Sequence, residues 1–418
     1  MISKSKLLDK YLNLLLVFLF PAQLALHFWP GSAFIFGIRV DYLSPAIYLT
    51  DIIFVLLFVT WFIKVRTKIF ADLKKNRYLL AIFLLVFVLN LIVSQSFLVA
   101  LFKWLKIIEF IALGYYFKER RDIFTISNIA FTFFYSLLFF SFIGLLQFIN
   151  GKTSGNLFYL LGERSFSIFT PGIALVDFFG RNYLRVYSTF PHPNSFAGFF
   201  GVSIIFLTFN HFTINGFLKI AGLVIILLAF ALTFSLSSFV GIAVCICFYL
   251  LFRKFIFKKT TYNLLLIFVL LASLYLSIFS KPMLNSRGDF SQSVGQRLEL
   301  ANISGKIFSD NWFIGTGLNT FIIKEVSFAA SEKGVWLLQP VHNIYLLIFT
   351  ETGILGITLL CFLLSRLFVK NIQTRNIWGL LIIVFVLVTG LFDHYWFTIQ
   401  QNMLLLSLFF GISFREKI

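Results

Sequence analysis

Val341-His342-Asn343-Ile344-Tyr345-Leu346-Leu347-Ile348-Phe349-Thr350-Glu351-Thr352-Gly353-Ile354-Leu355-Gly356 is where a long polar segment of this 418-residue chain turns back into an apolar one. His342 and Asn343 stand at the lip of a hydrophobic helix, and Gly353 and Gly356 are placed to let that helix pack closely against a neighbour. The pattern reads His-Asn, nine residues, Gly, two residues, Gly. A lone histidine at a helix mouth is most often an interfacial residue with satisfied hydrogen bonds, so the weight carried by His342 depends on its surroundings.

Those surroundings are membrane-like. The chain is 59% hydrophobic and 12% charged, holds 59 Phe, and has a mean hydropathy of +0.93, far from a soluble average. A net charge of +18 would suggest nucleic acid in a soluble chain. In a membrane protein it reflects Lys and Arg kept in cytoplasmic loops, so no nucleic-acid partner is expected. Cys245, Cys247 and Cys361 all lie in apolar runs, which offers neither a disulfide framework nor a zinc cluster. Leu12–Trp29 lacks a small-residue cleavage pattern and reads as a first spanning helix.

A spanning helix needs about 20 mostly apolar residues, and about twelve such runs occur: 11–29, 43–63, 78–94, 98–117, 124–149, 195–213, 217–235, 237–252, 262–280, 342–365, 376–391 and 396–412. The fold expected is therefore an all-α polytopic membrane bundle, residues 1–418 forming one integral membrane domain. With both termini cytoplasmic, most of the 35 Lys and Arg fall on the cytoplasmic side. Two long extracytoplasmic loops then remain, 150–194 and 281–341, and loops of that length are usually functional. In the second, Leu300, Ile303 and Ile307 recur at helical spacing before Trp312-Phe313. That pattern fits an amphipathic helix on the membrane surface or one covering the bundle. Span four holds Lys103, Lys106 and Glu109; Lys106 and Glu109 are three apart and suited to neutralise each other, with Lys103 left open.

Several arginines lie where the insertion bias does not call for them: Arg164, Arg181 and Arg185 in the first outer loop, Arg287 and Arg297 in the second. A guanidinium fork suits phosphate oxygens, though pairing with Glu163, Asp177, Asp289 or Glu299 would account for any one of them. After Arg185 comes Pro191-His192-Pro193-Asn194, a rigid turn in which Asn194 is placed to cap the next helix and His192 reads as a turn residue. Gln296-Arg297 precedes the amphipathic stretch, and Gly315-Thr316-Gly317 follows it.

Taken together, Arg185 with Pro193-Asn194, Arg297, Gly315-x-Gly317 and His342-Asn343-x9-Gly353-x2-Gly356 resemble the O-antigen ligase and O-antigen polymerase superfamily. The resemblance runs from about span five onward, and Leu236 and Ala301 depart from the ligase pattern. It implies a bacterial inner-membrane glycosyltransferase of the cell envelope. Such an enzyme takes a glycan from an undecaprenyl-diphosphate carrier and passes it to a saccharide, lipid-linked or protein acceptor at the extracytoplasmic face. It implies further that Arg185 and Arg297 hold the diphosphate and that His342 is the base, with Asn343, Asn194, His192 and Arg181 as supporting residues. Membrane lipids are the other expected partners.

The chemistry is physically reasonable. Imidazole suits proton abstraction from a sugar hydroxyl, and guanidinium groups suit the charge developing on a diphosphate leaving group. No Asp-x-Asp metal motif is present, so no metal or cofactor is expected. The alternative is a transporter or lipid-linked oligosaccharide flippase, which would line its membrane interior with polar groups; beyond span four this chain has few.

Overall fold

The computed structural model describes residues 4–178, 180–256, 290–332 and 337–415. The expected span 262–280 and Arg287 lie outside them. Helices dominate: α1 Lys4–Phe18, α2 Leu49–Lys75, α3 Arg77–Ile92, α4 Phe97–Glu119, α5 Ile126–Asn150, α6 Pro193–Phe209, α7 Gly216–Ala231, α8 Leu236–Ile256, α9 Phe290–Asp310, α10 Phe321–Glu332, α11 Ile344–Gln373, α12 Ile377–Gly390, α13 Tyr395–Thr398 and α14 Gln400–Ser413.

Two differences from the sequence reading matter. The fold is mostly helical but not all-α, since three short antiparallel ladders occur: Ala25–His27 with Ala46–Tyr48, Phe34–Ile35 with Ile38–Arg39, and Leu175–Phe178 with Arg181–Leu184. The first expected span also stops early, because Pro21 cannot continue a helix. Its carbonyl instead accepts from Thr189 Oγ1 at 2.5 Å and Gln401 Nε2 at 3.3 Å, and residues 25–27 turn into a strand.

Two helices, α5 and α11, are long and apolar enough to cross a hydrocarbon core; α3, α6, α7, α12 and the first part of α8 are shorter and equally apolar. The exposed apolar surface argues for a membrane environment more strongly than length does. On α7, Phe217, Ile220, Val224 and Leu228 form a helical stripe exposed by 79%, 67%, 59% and 48%, while Gly222, Ile226, Ala229 and Phe230 face inward. Water would not tolerate such stripes, repeated on α3 by Tyr78, Ile82, Leu85 and Ile92.

Inside, α5, α6, α12 and α14 meet through aromatic rings: Phe206 lies 4.8 Å from Phe409 and 5.3 Å from Trp378, and Phe133 stacks on Phe409 at 5.6 Å. Helix α4 crosses α14 where Gly114 meets Gly411, and a Cβ on Gly411 would sit 2.2 Å from the Gly114 carbonyl oxygen. The α9 residues Leu300, Ile303 and Ile307 are buried with Ala33, Leu43, Phe321 and Leu347. That helix therefore covers the bundle with its apolar face.

Helix α11 is broken. Gly353 has φ 62° and ψ −164°, a conformation confined to glycine, and a Cβ there would be 2.4 Å from the Phe313 backbone. The freed backbone pairs with residues 312–317: Ile354 N donates to Trp312 O at 2.9 Å, Thr316 N to Thr350 O at 3.0 Å, and Gly317 N to Glu351 O at 3.1 Å. Asn90 of α3 completes the junction, donating to Glu351 O at 2.7 Å and Ile314 O at 3.1 Å and accepting from Leu318 N and Trp104 Nε1, each at 2.9 Å. Irregular backbone in a membrane protein persists only when satisfied in this way. Gly353 thus marks a helix break docked on a loop, and the close helix–helix contact expected there is a contact with the 313–314 backbone.

Candidate active site

Residues from the two long loops, the 24–48 hairpins and the α12–α13 turn converge on one cavity of about 810 Å³. His342, Asp393, His394, His192, Arg164 and Arg297 are among its lining.

The central pair is His342 and Asp393. His342 precedes α11, whose first turn is capped by Asn343: the Asn343 carbonyl oxygen accepts from Tyr345 N at 2.9 Å and Leu346 N at 3.0 Å, while its amide donates to Leu391 O at 3.2 Å. This fixes the residue before it against the turn leading to Asp393. His342 Nδ1 lies 3.7 Å from Asp393 Oδ1, and among the described residues it has no hydrogen-bond partner. The separation is long for a hydrogen bond and short enough for an ion pair once the imidazole is protonated. The side chain is 21% exposed, on the cavity.

Asp393 is held from behind. Its Oδ1 accepts from His394 N at 2.8 Å and its Oδ2 from Asn194 Nδ2 at 3.1 Å. Arg185 in turn donates to Asn194 Oδ1 at 2.9 Å and to Thr233 O at 2.6 Å. Burial works against ionisation of Asp393, but the adjacent imidazoles of His342, His394 and His192 hold its carboxyl well below the usual carboxylate range. It is an anion facing an imidazole.

His394, 4% exposed, packs against His342 at a ring distance of 5.2 Å and against Tyr42 at 5.5 Å, with Nδ1 at 2.7 Å from Thr398 Oγ1. Burial pushes its pKa down to about 3, against the opposing pull of Asp393, so it is neutral at physiological pH and a weak proton acceptor. The structure departs from the sequence reading at the start of α6: His192 is the cap, its Nδ1 accepting from Asn194 N at 3.1 Å, with Pro193 in the first turn. The Asn194 side chain is thereby released to bridge Arg185 and Asp393.

The expected cations separate into groups. Arg297 and Arg164 line the cavity, each donating to a backbone carbonyl at 3.3 Å, Phe392 O and Pro191 O respectively. Among the described residues neither makes a carboxylate ion pair. Glu163, offered as a partner for such arginines, is instead taken by Gln147 Nε2 at 2.7 Å and the backbone amides of Ser154 and Gly155. Arg185 stands behind Asn194, outside the lining. Arg181 is exposed on the 181–184 strand, opposite Phe178, and joins none of this.

His342, Asp393 and His394 place their donor atoms within 4.8 Å of one another, so three ligands for a cation are near. Both Asp393 oxygens and His394 Nδ1 already have partners within the protein. Sequence reasoning missed Asp393. Its only trace was an Asp-His pair in a short turn between two apolar runs.

Residues 221–361 match the family model described as O-antigen ligase; that segment contains Arg297 and His342, while Arg185, Asn194 and Asp393 lie beyond it. Among curated proteins none matches the chain.

Proposed function

We infer from the match of residues 221–361 to the O-antigen ligase family model that this chain belongs to the O-antigen ligase and polymerase superfamily. On that premise we propose that it transfers a glycan from an undecaprenyl-diphosphate carrier to a hydroxyl acceptor, saccharide, lipid-linked or protein, at the extracytoplasmic face of the bacterial plasma membrane, with no metal or cofactor. The observation that carries this reading is His342 Nδ1 standing 3.7 Å from the Asp393 carboxylate on a cavity that Arg297 also lines.

The step balances on these residues. The acceptor hydroxyl gives its proton to His342 as its oxygen bonds to the anomeric carbon. The bond from that carbon to the phosphate oxygen breaks, and its electron pair leaves with the diphosphate. Asp393 stabilises the imidazolium, and Arg297 and Arg164 face the charge on the leaving group. Arg185 acts through Asn194, keeping Asp393 aimed at His342.

The test is incubation of purified protein with an undecaprenyl-diphosphate glycan and candidate acceptors, followed by mass analysis. The expected result is a glycosylated acceptor with release of the bare carrier, lost in His342→Gln. A folded His342→Gln variant that turns over within a few-fold of wild type would remove the base role.

A further inference from the structure

The cavity does not end at His342. It continues to α4, where Phe102, Lys103, Lys106 and Phe110 line it together with Met403 of α14. Lys103 lies six residues into α4, about 9 Å along its axis from the helix start.

The two lysines are in different electrostatic situations. Lys106 is neutralised by Asp51 and by Glu109, the latter at 3.0 Å. Lys103 has no carboxylate within ion-pair distance among the described residues. Its ammonium donates to the Phe397 carbonyl at 2.6 Å, sits 3.8 Å from the Met403 sulfur and lies 5.2 Å from the centre of the Phe397 ring. The charge of Glu351 reaches it, but that carboxylate accepts from Phe321 N, at the start of α10, at 3.3 Å. An intramembrane ammonium is costly, and a tether to one carbonyl needs only a neutral donor. The charge itself therefore requires a reason, and an ammonium offers three donors where protein acceptors use one or two.

We propose that the α4 side of this cavity is a phosphate-binding site with Lys103 as its cation, holding the diphosphate of a lipid-borne donor while Phe102, Phe110 and Met403 face the first units of the chain. This rests on the donor class of the proposed function. It adds Lys103 to Arg297 and Arg164, which line the same cavity, whereas Arg185 is engaged by Asn194 and Thr233 outside the lining.

The experiment measures binding of undecaprenyl diphosphate and of undecaprenol to the full chain in phosphatidylcholine nanodiscs, for wild type, Lys103→Gln and Lys103→Arg. Wild type should prefer the diphosphate; glutamine keeps a donor for Phe397 but should lose about tenfold or more of that preference with undecaprenol binding unchanged, and arginine should retain it. On the wild type alone, undecaprenyl diphosphate should protect Lys103 from acetylation and undecaprenol should not, a readout that survives misfolding of a variant. An undiminished preference in Lys103→Gln, or equal acetylation with both lipids, overturns this site and leaves the transfer reading standing. Absence of any diphosphate preference in wild type overturns both. Inorganic pyrophosphate competing as well as the lipid overturns the assignment to a lipid-borne group.

Discussion

Asp393 joins three regions that are distant in sequence: it receives Asn194 from the start of α6, receives the His394 backbone amide, and faces His342 before α11. A base assisted in this way makes two predictions at the residue scale. General-base assistance is worth about 10²–10⁴ in rate. His342→Gln should therefore fold and bind carrier while single-turnover transfer falls by that factor; binding and turnover measured on one sample separate this from a loss of stability. His394 provides a pH test. Its folded pKa of about 3 lies below the ordinary 6.5. Between those values the unfolded chain takes up a proton that the folded chain refuses, so stability falls as pH drops from 6.5 towards 3, by about 2 kcal/mol at pH 5. The fall in melting temperature from pH 7 to pH 5 should be smaller in His394→Asn than in wild type. Equal falls would mean that His394 is not held neutral.

At the scale of elements, the break in α11 decides where His342 sits, because residues 344–352 are docked on the 312–317 loop before the helix resumes. The sequence carried the glycine but not the reason for it. Gly353 is explained by contact with Phe313, forty positions away, and by Asn90, more than 250 positions away, and no local periodicity records such contacts. Asp393 escaped notice for the same reason, whereas His342 and Arg297 were visible through their motif. Gly353→Ala combines a forbidden backbone conformation with a Cβ placed 2.4 Å from backbone, and should cost about 3 kcal/mol. Gly305→Ala on exposed α9, where nothing lies within 4 Å, should instead stabilise by about 0.5–1 kcal/mol. Thermal unfolding of the two in detergent gives the comparison; a Gly353→Ala protein as stable as wild type would show that the break is not needed.

At the scale of the whole molecule, the helices fall close to the apolar runs because burial in lipid demands one continuous feature, length, that a sequence displays directly. The 25–27 strand was hidden inside what read as the first span and its partner 46–48 at the start of the second, since Pro21 outweighs the hydrophobicity around it. The charges of the chain now bear on chemistry and on orientation together. Each oxygen of the site's carboxylate already accepts from a protein donor and its cations are fixed side chains, so transfer should persist through exhaustive chelation; activity abolished by EDTA and restored by magnesium would put a metal where His342, Asp393 and His394 converge. The orientation we propose rests on the basic loops, which by insertion bias would lie in the cytoplasm and the cavity end outside. In a background with Cys245, Cys247 and Cys361 replaced, Phe169→Cys, at a position 86% exposed in the first long loop, should react with an impermeant thiol reagent in intact spheroplasts. Lys64→Cys, exposed on α2 among the basic residues, should react only after permeabilisation. Labelling in the reverse order would place His342 in the cytoplasm, where a glycan already carried across the membrane could not reach it.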